Sequence, residues 1–100
     1  MSVKYTIEEL KEIMAPIAQK YGVQSMYLFG SYARGDNTDA SDIDIRVEKG
    51  DLKGYFALSG LYSDISEALG MKVDLLTTGS LDKEFLNRTK NDEVLLYERQ

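Results

Sequence analysis

The chain's hydrophobic patterning predicts a small α/β (α+β) domain, a mixed sheet with helices packed mainly on one face. Strand-like segments at 25–29, 42–47 and 72–77 alternate with segments of helical period. Residues 42–47 are apolar on one alternating face only, so one side of the sheet is covered by helices and the other is left partly free. The length, 100 residues, fits a single domain spanning 1–100, and 43% apolar residues with ten aromatics are enough for a core. There is no internal repeat, low-complexity tract or linker.

The elements follow in order. Thr6 with Glu9 reads as a capping box ahead of Ile7, Leu10, Met14, Ile17 and Tyr21, which keep a helical period. Pro16 interrupts this helix and Gly22 ends it. Ser25 to Phe29 is a strand covered on both sides, ending at Gly30; Ser31 to Arg34 makes one short helical turn, closed by Gly35. Asp36 to Ser41 is a loop of turn formers. In Asp42-Ile43-Asp44-Ile45-Arg46-Val47 the isoleucines and Val47 face the core, while Asp42, Asp44 and Arg46 face away. Tyr55, Leu58, Tyr62, Ile65 and Leu69 mark a further helix, ended by Gly70. Lys72 to Thr77 is the third strand, with Asp74 and Leu76 on one face and Val73 and Leu75 on the other. Ser80 or Asp82 caps a last helix carrying Phe85 and Leu86, and Val94 to Tyr97 either forms a terminal strand or extends that helix.

Composition removes whole classes of chemistry. With no cysteine there are no disulfides, thiolate nucleophiles or thiolate metal sites. With no histidine there is no imidazole base, Ser-His-Asp triad or zinc–histidine site. Acid–base or metal chemistry therefore falls to carboxylates, which favour hard cations such as Mg²⁺. A net charge of −5 disfavours a nucleic-acid partner, because binding a phosphate backbone needs clustered Lys and Arg. No apolar run approaches the roughly 18 residues of a membrane span, and the N-terminus lacks signal-peptide features. The expected location is the cytoplasm.

Asp42 and Asp44 are two residues apart on a strand and so project from one face, their α-carbons about 6.6 Å apart. Their mutual repulsion is relieved by a divalent cation. A third carboxylate allows two metals to be clamped about 3.5–4 Å apart. Asp74 is the candidate, since an unpaired carboxylate within Val73-Asp74-Leu75-Leu76 is otherwise costly. Taken alone, a DxD pair is more often a solvated strand face, and Asp74 could be a salt-bridged residue paired with Arg46.

Gly30-Ser31 follows a strand and opens a helical turn, where free backbone N–H groups, a glycine permitting close approach and a serine hydroxyl suit phosphate oxygens. Gly30 and Gly35 have P-loop spacing, but Asp36 and Asn37 stand where Lys and Ser/Thr belong. The dinucleotide fingerprint and the EF-hand pattern are absent.

Gly30-Ser31, ten intervening residues and then Asp42-x-Asp44 resembles the signature of the polymerase-β-like nucleotidyltransferase superfamily. The string Gly30-Ser31-Tyr32-Ala33-Arg34-Gly35 through Ser41-Asp42-Ile43-Asp44 is similar in particular to its minimal (MNT) branch, with Val73-Asp74-Leu75 at the third carboxylate. The similarity extends through Leu52-Lys53-Gly54 to Val94-Leu95-Leu96-Tyr97-Glu98.

The resemblance implies the polymerase-β-like fold and transfer of a nucleoside monophosphate, AMP from ATP, to a hydroxyl. By the same resemblance Asp42, Asp44 and Asp74 would hold two Mg²⁺ ions. Gly30 and Ser31 would bind the terminal phosphates, and Asp74 would also help deprotonate the attacking hydroxyl. Arg34 and Arg46 are candidates for phosphate contact or for structural ion pairs. Family members of this length commonly pair with a HEPN-domain toxin, which they silence as antitoxins by attaching AMP to a tyrosine. The acidic charge would suit a basic, RNA-binding toxin. Two alternatives stay open: a non-catalytic antitoxin or regulatory subunit, and a transferase acting on a small hydroxylated molecule.

Overall fold

The computed structural model describes residues 5–35, 42–80 and 83–99. Its elements are α1 (Ile7–Tyr21), β1 (Ser25–Phe29), α2 (Ser31–Arg34), β2 (Ile43–Glu48), α3 (Gly54–Leu69), β3 (Val73–Thr77), a 3-10 turn (Thr78–Ser80), α4 (Lys83–Thr89) and β4 (Val94–Glu98). The expected loop at 36–41 and a cap at Asp82 lie outside the described residues.

The capping box starts α1: Glu9 N–H donates to Thr6 Oγ1 at 3.1 Å, and Thr6 N–H donates to Glu9 Oε1 at 2.9 Å. Gly22 ends the helix in the left-handed region at φ 70°. The expected interruption at Pro16 does not occur, and α1 runs through it. Pro16 is exposed, so water can take over the hydrogen bond its missing amide leaves out. Leu10, Met14 and Ala18 are the buried stripe of α1.

The helical stripe of α3 differs from the sequence expectation. Its buried residues are Leu61, Ile65 and Leu69, whereas Tyr62 is partly exposed and Tyr55 is 89% exposed. At 100° per residue, Tyr62 and Tyr55 fall about 80° and about 100° from the centre of a stripe through Leu61 and Ile65, so both turn toward water.

The four strands lie in the order β3-β2-β1-β4. β1 runs antiparallel to β2 and β4, while β2 and β3 are parallel. A parallel pair requires a crossover, which α3 supplies. Met26, Leu28, Ile43, Ile45, Val47, Val73 and Leu96 join the stripes of α1 and α3 in one core. Each fully buried Leu or Ile in it contributes about 1.5–3 kcal/mol through apolar burial.

The opposite face carries Tyr27, Phe29, Asp44, Arg46 and Asp74, as the two-residue period of strands demands. It is not entirely bare. Phe85 of α4 meets Phe29 edge-on, with ring centroids 5.8 Å apart. Val94–Glu98 is a strand, not an extension of α4, and its register shifts beside Met26 and Tyr27. No helix among the described residues is long and apolar enough to cross a membrane.

Candidate active site

Asp44 of β2 lies directly across the parallel ladder from Asp74 of β3. The core demands of Ile43, Ile45 and Val73 fix this placement, because burying them turns both aspartates to the opposite face. Phe29 pairs with Asp44, so the chain leaving β1 at Gly30 turns beside that carboxylate. Gly30 has φ 76° and ψ −154°, a region essentially closed to residues with a Cβ. A Cβ on Gly30 would also collide with Asp44 Oδ2.

The turn is held from both ends. Arg34 N–H donates to Gly30 O at 3.1 Å, and Gly35 N–H donates to Ser31 O at 2.9 Å. Tyr32 is buried, and its hydroxyl approaches Met71 Sδ at 3.8 Å, tying the turn to the segment that leads into β3. Gly30 is thereby set beside Asp44.

Asp44 has its carboxyl pushed up to about 6. Burial is the main cause, followed by the hydrogen bond with Asp74 and the negative charges of Asp74 and Asp42; the Arg34 guanidinium acts in the opposite direction. The two carboxyl groups thus lie within hydrogen-bond reach of each other. Such a pair holds more negative charge than its surroundings compensate, a deficit that a divalent cation remedies.

Asp42 is near enough for its charge to act on Asp44, but its Oδ2 pairs with Lys72 Nζ at 3.5 Å. Among the described residues, no three acidic side chains already converge as a metal-binding cluster. The Lys72 ammonium is largely exposed, so this pair holds Asp42 weakly.

Two sequence expectations are corrected. Asp74 is exposed rather than enclosed among apolar neighbours, since β3 is an edge strand. Its suggested partner Arg46 is engaged elsewhere. Arg46 donates to Glu93 Oε2 at 2.6 Å and to Thr78 Oγ1 at 2.7 Å, and its guanidinium carbon lies 4.2 Å from the centre of the Tyr27 ring. Arg46 is therefore engaged structurally, joining β2 to the turn after β3 and to the residue that leads into β4. Arg34 is exposed, and its charge acts on Asp44.

The family model for polymerase beta nucleotidyltransferases matches residues 9–100, a span that takes in the whole of this arrangement. The chain belongs to the polymerase-β nucleotidyltransferase family. This nucleotidyltransferase is 41% identical over 88 residues to a Methanocaldococcus jannaschii protein provisionally named a protein adenylyltransferase, covering 88% of this chain and 95% of that one. It is 31% identical over 94 residues to the protein adenylyltransferase MntA of Thermococcus cleftensis, covering 90% and 94% of the two chains. Its fold is similar to a chain of a crystallised toxin–antitoxin with AMP-PNP, with TM-score 0.74 and 27% identity over 90% of this chain and 74% of that chain.

Lys72, Glu93 and Thr78 were not singled out from the nucleotidyltransferase's sequence. For Lys72 a signal exists: once Asp44 is set opposite Asp74, the parallel register places Lys72 opposite Asp42. Glu93 lies 47 residues from Arg46, and no local pattern connects them.

Proposed function

We propose that this nucleotidyltransferase is a protein adenylyltransferase, moving AMP from ATP to a tyrosine hydroxyl of a partner HEPN-domain toxin, for which it acts as antitoxin. The observation that carries the reading is the Asp44–Asp74 pair beside the Gly30-Ser31 turn. The names of its relatives support AMP as the transferred group, and the toxin–antitoxin neighbour with AMP-PNP supports both the nucleotide and a toxin partner. The net charge of −5 suits a basic partner.

In this reading Asp42, Asp44 and Asp74 would hold two Mg²⁺ ions, and their all-oxygen donor set fits a hard cation. When bound, the metal neutralises phosphate charge and lowers the pKa of the attacking hydroxyl. The residues of the chain do the rest. The backbone at Gly30 and the Ser31 hydroxyl hold the terminal phosphates, with Gly30 leaving room for close approach. Arg34 adds positive charge beside Asp44. Asp74, exposed on its edge strand, can meet an incoming hydroxyl and accept its proton. The acceptor oxygen then bonds to the α-phosphorus, the bond to the bridging oxygen breaks, and pyrophosphate leaves.

Incubating the chain with ATP, Mg²⁺ and the HEPN partner, beside Asp44→Ala, and taking intact masses tests this. The expected result is partner mass raised by whole AMP units with the unsubstituted chain alone. An inhibited complex of unchanged mass would instead make the chain a binding-only antitoxin.

A further inference from the structure

The outer side of β3 and the cleft beside it have no role in the chemistry above. β3 is an edge strand, and among the described residues no strand pairs with its outer side. Exposed edges are usually blocked with Lys or Pro, twisted by bulges or covered. Val73-Asp74-Leu75-Leu76-Thr77 contains neither Lys nor Pro, and its one charge is the aspartate of the active site. Between this edge and the start of α3 lies a cleft of about 480 Å³, whose walls are mainly Leu52, Tyr55, Leu58, Leu75 and Leu76, with Lys49 among the polar residues that complete them. At its mouth Tyr55 is 89% and the next residue, Phe56, 97% exposed. Two adjacent aromatics left in water beside an apolar cleft are the mark of a surface that meets a partner.

We propose that the acceptor protein docks here as an added strand: an extended segment pairs with the outer edge of β3, sets an apolar side chain in the Tyr55–Leu58–Leu75 cleft, and so delivers its hydroxyl to Asp74. The inference rests on the protein-acceptor reading above and names how the acceptor is held. Continuity decides the occupant, because the strand that offers the free edge also carries Asp74. The pleat adds a rule. Asp74 and Leu76 face away from the helices, whereas Leu75 and Thr77 line the cleft from the helix side, where Leu52, Tyr55 and Leu58 close it and an anchor is taken up. On an added strand, successive side chains alternate faces, so the apolar anchor and the hydroxyl residue must be an odd number of positions apart. The cleft runs from Leu75 to Thr77, so that separation is one or three.

The test uses the full chain with the HEPN partner as acceptor protein, ATP and Mg²⁺. Tyr55→Ser, at an exposed position outside the catalytic groups, should raise KM for the acceptor protein at least tenfold and leave kcat and the KM for ATP within twofold. In the unsubstituted chain, amide exchange at Leu75, whose N–H points to the free edge while that of Leu76 points to β2, should slow at least tenfold on adding the acceptor. Transfer with unaltered KM, or with exchange at β3 unaffected, would place the acceptor elsewhere and overturn the docking while sparing the protein-transfer reading. Protection at β3 that grows with the concentration of this chain alone would assign the edge to a second copy and also overturn it. If the unsubstituted chain modifies no acceptor although it binds ATP, the protein-transfer reading itself falls and takes the docking with it.

Discussion

The carboxylate of Asp44 occupies the space that a side chain on Gly30 would need. The two residues are 14 positions apart and belong to different elements, yet each limits the other. Gly30→Ala should therefore do two things. The backbone at φ 76° and ψ −154° makes any Cβ costly, by about 1–3 kcal/mol, and the new methyl displaces Asp44. The expected outcome is a folded domain with a lower melting temperature and AMP transfer reduced at least tenfold, read by thermal unfolding and intact mass. Transfer at the original rate would show that Asp44 need not lie against this turn.

Asp42→Asn and Asp44→Asn should each abolish transfer and leave the fold in place, because both side chains lie off the core face. Asp74→Asn should slow single-turnover chemistry by more than it weakens ATP binding, since its assigned work is on the acceptor. Circular dichroism and nucleotide titration separate these effects from unfolding. Ile43→Asp is the contrasting substitution: Ile43 is fully buried, and a charge there should unfold the domain.

Stripped of divalent cations, the domain should gain stability on mild acidification. The Asp44 carboxyl is raised from 3.8 to about 6 in the folded chain. Between those values the folded chain binds a proton that the unfolded chain has released. This contribution to stability thus grows as pH falls through 6 and is complete below the unfolded value. Melting temperatures measured in EDTA from pH 7.5 to pH 5 should rise by a few degrees, and Asp44→Asn should remove that rise. A flat profile for the unsubstituted chain would contradict the paired-carboxyl arrangement.

The Arg46–Glu93 ion pair is almost buried on both sides, so breaking it should be expensive. Glu93→Gln or Arg46→Met is expected to destabilise the domain by roughly 3 kcal/mol, as for other buried pairs that lose one partner. Replacing both residues together should cost less than the sum of the two single changes, as a double-mutant cycle in urea would reveal. Strict additivity would mean the contact carries no coupling.

The amino-acid sequence by itself determined the local elements and the faces of the strands. Thr6-x-x-Glu9 and Gly22 bounded α1, and Ile43-x-Ile45-x-Val47 could bury its apolar set only by turning Asp44 away, because such patterns act over a few residues. The family signature in Gly30-Ser31 and Asp42-x-Asp44 was legible for the same reason: its parts are close in the chain. What only the tertiary structure decided is which distant residues meet. The order β3-β2-β1-β4 put Asp74 opposite Asp44 and on an exposed edge, gave Lys72 to Asp42, and led Arg46 to Glu93 rather than to Asp74. It also centred the buried stripe of α3 on Leu61 and left Tyr55 in water. Hydrophobic periodicity sets the face a residue turns to, whereas strand register and helix rotation set its neighbour, and those are fixed by packing among segments tens of residues apart.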